Sequence, residues 1–201
     1  MQITLTDAAF EMFDLLTTRR RSHSRLIEPG PDHDQLISIL HAAMAAPDFG
    51  RLRPWRFTVF TGDDRAGFGD VLAEAARRRN PGISAAGLET ERRRLTRAPV
   101  VISAGAHVVD GPITPEQQVA AVSAAVQNML LAATALGFGS IWRTGPVCYD
   151  PTVKQALDLG EQDRLVGFVY LGTAATITLP SRQPAEDSLV RWGWPEPVRG
   201  R

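Results

Sequence analysis

Ala9, Phe10, Met12, Phe13, Leu15 and Leu16 recur at helical spacing, which predicts a first helix from about Asp7 to about Arg20. A second apolar face, Leu36, Ile39, Leu40, Ala43 and Met44, follows Asp32 and Gln35, whose spacing is that of a capping box, and Pro47 ends it. The period then changes. Arg56 to Thr61 is β-branched and aromatic between Pro54 and Gly62 and predicts a strand. Asp63 or Asp64 opens a third helix with Phe68, Val71, Leu72, Ala75 and Ala76 on one face, closed by Arg77-Arg78-Arg79 and Asn80-Pro81-Gly82. The charged stretch from Gly87 to Arg97, with Glu89 and Arg93 four apart, predicts an exposed helix or a mobile flap.

Pro99 to Ala104 is a short continuous apolar run and reads as a buried strand. Thr114, Pro115 and Gln117 then supply an N-cap, a first helical residue and the returning side chain of a capping box. The helix they start is apolar on nearly every side, so it must be buried in the core or between subunits, and Gly137 caps its end. Ser140 to Thr144 gives a short strand, Asp150-Pro151 opens a short helix through Leu157, and Leu165 to Leu171 is the clearest strand. Beyond Gly172, Pro180, Pro184, Pro195 and Pro197 interrupt any period, so the end of the chain reads as an extended arm. That arm carries Leu189, Trp192 and Trp194, which need a surface to cover them. Strands separated by helices place the chain in the α+β or α/β class, with helices on both faces of a central sheet.

Composition narrows the partners. The chain of 201 residues suits one large domain, and its 44% hydrophobic and 22% charged fractions are ordinary for a globular enzyme. Lys plus Arg and Asp plus Glu both total 22, so no net charge draws the protein to nucleic acid or anionic lipid. The arginines at 77–79 and 92–94 lack the interleaved aromatics of a nucleic-acid surface. One cysteine, Cys148, excludes an internal disulfide and suits a reducing cytoplasm. No signal peptide precedes the first helix, and the apolar stretch Val119 to Leu136 contains Ser123, Gln127, Asn128 and Thr134, so it fits a buried helix better than a membrane span.

The common catalytic signatures are missing. There is no phosphate loop, no nucleophile elbow and no His-Glu-x-x-His, and His23, His33, His41 and His107 stand apart from one another, so no metal is expected. Gly137-x-Gly139 lies at a helix-to-strand transition, the reverse of a dinucleotide fingerprint. What remains is Arg20-Arg21-Ser22-His23-Ser24-Arg25, the loop from Ala46 to Trp55, the segment Gly139 to Pro146, and Pro180-Ser181-Arg182. Clustered arginines repel one another unless an anion sits among them, and the planar guanidinium matches phosphate oxygens. Cations also favour a helix C-terminus through the macrodipole, so the cluster alone leaves both readings open.

In this order the four pieces resemble the FMN-dependent nitroreductase family, and especially its short bacterial NAD(P)H nitroreductase subgroup. Arg20-Arg21-Ser22 matches the family's Arg-Arg-Ser, Ala46-Pro47 with Pro54-Trp55 its Ala-Pro…Gln-Pro-Trp loop, and Gly137-Phe138-Gly139 with Trp142-Arg143 the subgroup's Gly-Phe-Gly…Trp-Arg. Val166 to Thr173 looks like its last core strand. The resemblance implies one domain over 1–201, an α+β sandwich whose central, mainly antiparallel sheet is flanked by helices. It further implies a homodimer with FMN at the subunit interface, and a C-terminal arm, about 180–201, reaching over the partner.

Carried over by position, Arg20, Arg21 and Ser22 would hold the FMN phosphate and the polar flavin edge, and Arg182 would be a late phosphate contact. Trp142, Arg143 and Thr144 match flavin contacts, and the Thr144-Gly145 turn matches the place where an N–H approaches flavin N5. Pro47 and Phe49 would come from the other subunit. Two positions depart from the pattern. Ser24 stands where the family has a basic residue, with Arg25 displaced by one, and Arg53 replaces the glutamine before Pro54. The implied activity is ping-pong hydride transfer from NADH or NADPH through FMN to a small electron-poor acceptor such as a nitroaromatic or quinone. The alternative, on the same fold, is a protein that sequesters, fragments or dehalogenates through its flavin.

Overall fold

A computed structural model describes residues 6–18 and 25–176. In chain order it contains α1 (Asp7–Thr18), β1 (Leu26–Ile27), α2 (His33–Met44), β2 (Trp55–Phe60), α3 (Asp64–Arg79) and α4 (Ala85–Arg92). These are followed by β3 (Val100–Ala106), α5 (Pro115–Ala135), β4 (Gly139–Arg143), α6 (Pro151–Ala156) and β5 (Arg164–Ala174). Single 3-10 turns span Phe49–Arg51, Leu95–Arg97 and Pro146–Tyr149.

β5 is the axis of the sheet. It pairs with β3 from Val100 opposite Leu171 to Ala106 opposite Arg164, and with β4 from Gly139 opposite Gly172 to Arg143 opposite Phe168. β2 extends the sheet beyond β3, and β1 pairs with the last residues of β5, so every pairing is antiparallel. Because successive strand residues face opposite sides, β5 supplies two cores at once. Phe168 and Tyr170 join Val101 and Ile141 against Leu72 and Ala75 of α3, Leu95 and Val153. Val169 and Leu171 join Val100 and Ile102 against Ile39 and Ala43 of α2 and Val122, Val126 and Met129 of α5. Each such side chain, fully buried, contributes about 1.5–3 kcal/mol. The α+β sandwich is therefore a sheet covered on both faces.

Capping residues fix where the helices begin. The Asp32 carboxylate accepts from Gln35 N–H while Gln35 accepts from Asp32 N–H, both at 2.9 Å. Thr114 and Gln117 repeat the arrangement at 3.0 and 3.4 Å. The start of α5 is held further by the buried Gln118, whose amide donates to the carbonyls of Val109 and Ile113 and accepts from Val109 N–H. α5 is long and apolar enough to cross a membrane by composition, but its Ala121, Val122, Ala125, Val126, Met129, Leu130 and Ala133 are buried against the sheet and α2. Asn128 also donates to the Ala42 carbonyl at 3.0 Å, tying α5 to the end of α2.

Most predicted elements form within a residue or two of their expected bounds. Of the two readings of residues 87–97, helix or flap, the helix forms and the flap does not: the segment is part of α4 plus a 3-10 turn, anchored where the two join. A Cβ at Gly69 of α3 would lie 2.0 Å from the Arg92 carbonyl oxygen, so the two helices touch at backbone distance. Arg92 Nε also donates to Asp70 at 2.7 Å, and Leu95 is wholly buried beneath the turn. Local charge density hid that anchorage, because the residue that receives α4 lies 23 positions upstream in Gly69 and carries no side chain. The expected continuation of α1 to Arg20 and the arm at about 180–201 lie outside the described residues.

Candidate functional site

The β4–β5 edge carries a cavity of about 430 Å³, walled by Pro115, Glu116, Val119 and Ser123 of α5 and by Trp142, Thr144 and Val166 of the sheet edge. Strand alternation sorts the Trp142-Arg143-Thr144 segment. Trp142 and Thr144 face the cavity, whereas the Arg143 guanidinium lies over the Tyr170 ring, 5.9 Å from its centroid, on the other side of the sheet. The indole is set by its neighbour strand. Trp142 Nε1 donates to the Val166 carbonyl at 3.3 Å, and Gly167 leaves the space for it, since a Cβ there would sit 2.4 Å from Nε1. Gly167 also has φ +152, a conformation that glycine adopts without strain.

Past β4, Gly145 has φ +143 and begins the turn Pro146–Tyr149. Its carbonyl accepts from Cys148 N–H at 2.9 Å, while its own N–H donates to no acceptor among the described residues. This backbone donor lies one residue past Thr144, and Gly145 itself lines a neighbouring cavity that shares Tyr149 with the first. Two further wall residues have settled charge states. The Glu116 carboxyl is held below its ordinary range, first by its own backbone N–H and then by the Thr114 hydroxyl. Burial pushes the Cys148 thiol up, so it is a neutral thiol at neutral pH. Behind the edge, burial pushes the Tyr170 phenol up to about 12 despite Arg94, Arg143 and Arg97 nearby. Among the described residues no group of three His, Cys, Asp or Glu gathers as around a metal.

Pro47 and Phe49 lie in the loop between α2 and β2 and do not wall this cavity. The Asp48 carboxylate holds that loop by accepting from the N–H groups of Leu52 at 3.2 Å and Arg53 at 2.7 Å. Gly50, with φ +72, lets the loop lie against Ile113, two residues before α5. Pro47 is exposed, and Phe49 keeps 49% of its surface open, so both are available to another surface. Arg20, Arg21, Ser22, Ser24 and Arg182 lie outside the described residues. Their flanks nevertheless meet: Ala175 N–H donates to the Arg25 carbonyl at 3.0 Å, and Thr173 Oγ1 to that of Pro29 at 2.8 Å. This junction lies at the opposite end of β5 from the cavity.

Sequence reasoning missed Gly167, Tyr149 and Glu116. A lone glycine inside a strand is a recognisable sign of close approach, so Gly167 could have been found. Nothing local marks Tyr149 as a wall of the cavity, because it reaches the site only through the turn after β4.

The sequence pattern of the Nitroreductase family matches residues 17–173. The chain is 39% identical over 176 residues to the Escherichia coli (strain K12) protein named "Putative NAD(P)H nitroreductase YdjA", covering 84% of this chain and 94% of that one. A nitroreductase-like family protein from Bacillus cereus superposes with a TM-score of 0.77 at 21% identity, covering 96% of this chain and 100% of that one. A nitroreductase from Desulfovibrio desulfuricans, solved in complex with FMN, gives a TM-score of 0.70 at 25% identity over 96% and 100% of the two chains.

Proposed function

The chain belongs to the Nitroreductase family, and from that premise we propose that it is an FMN-dependent NAD(P)H oxidoreductase acting on small electron-poor acceptors such as nitroaromatics or quinones. The observation that carries the reading is the β4–β5 edge, where the Trp142 ring and the Thr144 hydroxyl wall one cavity and Gly145, whose N–H meets no acceptor among the described residues, follows directly in the chain. These groups fit a planar heterocycle with polar edges. The relative from Desulfovibrio desulfuricans holds FMN, which supports the choice among such groups.

Trp142 and Thr144 bind and orient the ring system, and the Gly145 N–H, one residue past Thr144, is the donor assigned to its edge, where charge accumulates on reduction. Bound there, FMN supplies hydride acceptance and donation at N5. Arg20, Arg21, Ser22 and Arg182 hold its phosphate, and Ser24 contributes a hydroxyl. The Arg25–Ala175 junction supports this, because it starts both segments side by side at the far end of β5, as suits an elongated group with a planar head and an anionic tail. No protein nucleophile is needed: Cys148 is a neutral thiol and Glu116 an ionised rim carboxylate. The nicotinamide, NADH or NADPH, and the acceptor take turns in the same cavity, which makes the kinetics ping-pong.

The protein acts as a homodimer. Phe10, Met12, Phe13 and Leu16 leave half or more of their surface exposed on α1, a helix with no buried residue, and Ile37, Met44 and Phe49 add to the open apolar surface. Such a surface suits a second copy, whose Pro47 and Phe49 and C-terminal arm complete the site. A cytoplasmic location fits the single reduced cysteine.

The test is an absorption spectrum of the purified, non-denatured protein followed by anaerobic titration with each nicotinamide. Copurifying FMN that bleaches with NADH or NADPH, and parallel lines in double-reciprocal rate plots, are expected. Purified protein without FMN overturns the reading.

A further inference from the structure

A second cavity, about 730 Å³, opens between the end of α3 and the start of α6, with Arg78, Arg79, Gly145, Tyr149 and Asp150 in its wall. Tyr149 lines both this cavity and the one beside Trp142, so the two are neighbours across one exposed ring. The charges around it do not cancel. Arg77 pairs with Glu74, and Arg78 lies between Glu74 at 3.6 Å and Asp150 at 3.8 Å. Those two carboxylates answer two guanidinium groups, and Arg79 has no ion-pair partner among the described residues. One uncompensated cation therefore faces a large opening beside the reactive cavity.

We propose that this cavity receives the phosphate-bearing arm of the nicotinamide co-substrate, with Arg79 as the cation that engages a phosphate and Tyr149 as the wall over which the arm passes. The assignment rests on the oxidoreductase reading and deepens it. A dinucleotide is two-headed, with an uncharged nicotinamide at one end and phosphates beyond it. A 430 Å³ pocket suits the flat reactive end, and the adjoining opening supplies room and charge for the rest. The remaining contacts of Arg78 keep it as a structural brace, so Arg79 is the residue that sets affinity for phosphate-bearing donors.

The experiment compares NADH, NADPH and N-benzyl-dihydronicotinamide, which carries the same hydride donor and no phosphate, as reductants of the FMN-loaded protein. Arg79→Gln is expected to lower the preference for NADH and NADPH over the benzyl compound roughly tenfold, the size of one charge-assisted hydrogen bond. The loss should lie in the half-saturating concentration rather than the limiting rate. Calorimetric binding of NADP+ should weaken to match, Arg79→Lys should restore much of it, and Arg77→Gln, the same charge change outside the cavity, should leave it as in the wild type. NADP+ binding and donor preference unchanged in Arg79→Gln, or equally reduced in Arg77→Gln, overturn the assignment alone. Failure of all three donors to reduce the wild-type protein overturns it together with the oxidoreductase reading.

Discussion

The α3–α4 corner and the β4–β5 edge are both rich in arginine and glycine, yet they use these residues in opposite ways. At the corner the charges answer one another. Arg92 bonds Asp70 and Glu89, Arg93 bonds Glu89, and Arg94 bonds Glu91, while Gly69 brings two helix backbones into contact. At the edge Arg143 rests on an aromatic ring and Gly167 makes space for an indole, while beside it, among the described residues, Gly145 N–H meets no acceptor and Arg79, at the end of α3, meets no carboxylate. A closed set of partners marks structure, and an open set marks a place for a ligand. The comparison shows why an arginine cluster says little until its carboxylates are located.

The contrast is broken most directly at the two glycines. Gly69→Val drives a side chain into the Arg92 carbonyl and should cost about 3 kcal/mol in urea unfolding, the upper range for overpacking. FMN bound per folded molecule should be unchanged, because the corner lies outside the cavity. Wild-type stability in this variant would mean that the helices do not touch as described. Gly167→Ala should cost less, about 2 kcal/mol for the strained φ and the displaced indole. Its distinguishing effect is at the cofactor, where fluorescence titration should show FMN affinity lowered by a larger factor than in Gly69→Val. Equal FMN affinity in the two variants would remove Trp142 from the site.

These two glycines also show what the chain discloses when read alone. Both caps at Asp32 and Thr114, the strand at Leu165–Leu171 and the buried character of α5 follow from local spacing, and the structure contains them. The anchorage of α4 does not follow, since it depends on the absence of a side chain at Gly69 in another helix. In the site, Trp142 and Thr144 were marked by the family pattern, but their separation from Arg143 needed only strand alternation, which fixes opposite faces for neighbouring residues. Tyr149 and Arg79 could not be joined from sequence, because α3 and the turn after β4 meet only through the tertiary fold.

A smaller effect separates structural from ligand-directed charge near the start of β5. Burial of Asp163 opposes its ionisation, but bonds from the N–H groups of Val108 and Gly160 and from His107 outweigh it and hold the carboxyl below its ordinary range. A carboxyl lowered on folding adds stability that is full above its unfolded pKa and is lost as pH falls through the folded one. The melting temperature should therefore fall below about pH 4, the range of an unperturbed aspartate. Asp163→Asn should be less stable than wild type at pH 6 and show a flatter decline between pH 4 and pH 2.5. An unchanged acid limb would show that Asp163 does not contribute to it.

The smallest expected effect comes from the corner's own ion pairs. Glu89 is held below the ordinary carboxylate range first by its bond to Arg93 and then by Arg92, yet all three side chains are well exposed to solvent. Exposed pairs gain little, because water solvates each partner almost as well and salt screens what remains. Glu89→Gln should lower the melting temperature slightly at low salt, with the difference vanishing as salt is raised, and leave FMN content and the half-saturating NADPH concentration untouched. At the cavity beside the edge the same reasoning gives the reverse result. Arg79 has no carboxylate partner among the described residues, so its removal should leave the melting temperature nearly as it was and appear instead in donor binding. If Glu89→Gln altered donor binding as Arg79→Gln does, the two arginine-rich regions would be one electrostatic field, and the distinction between closed and open partners would fail.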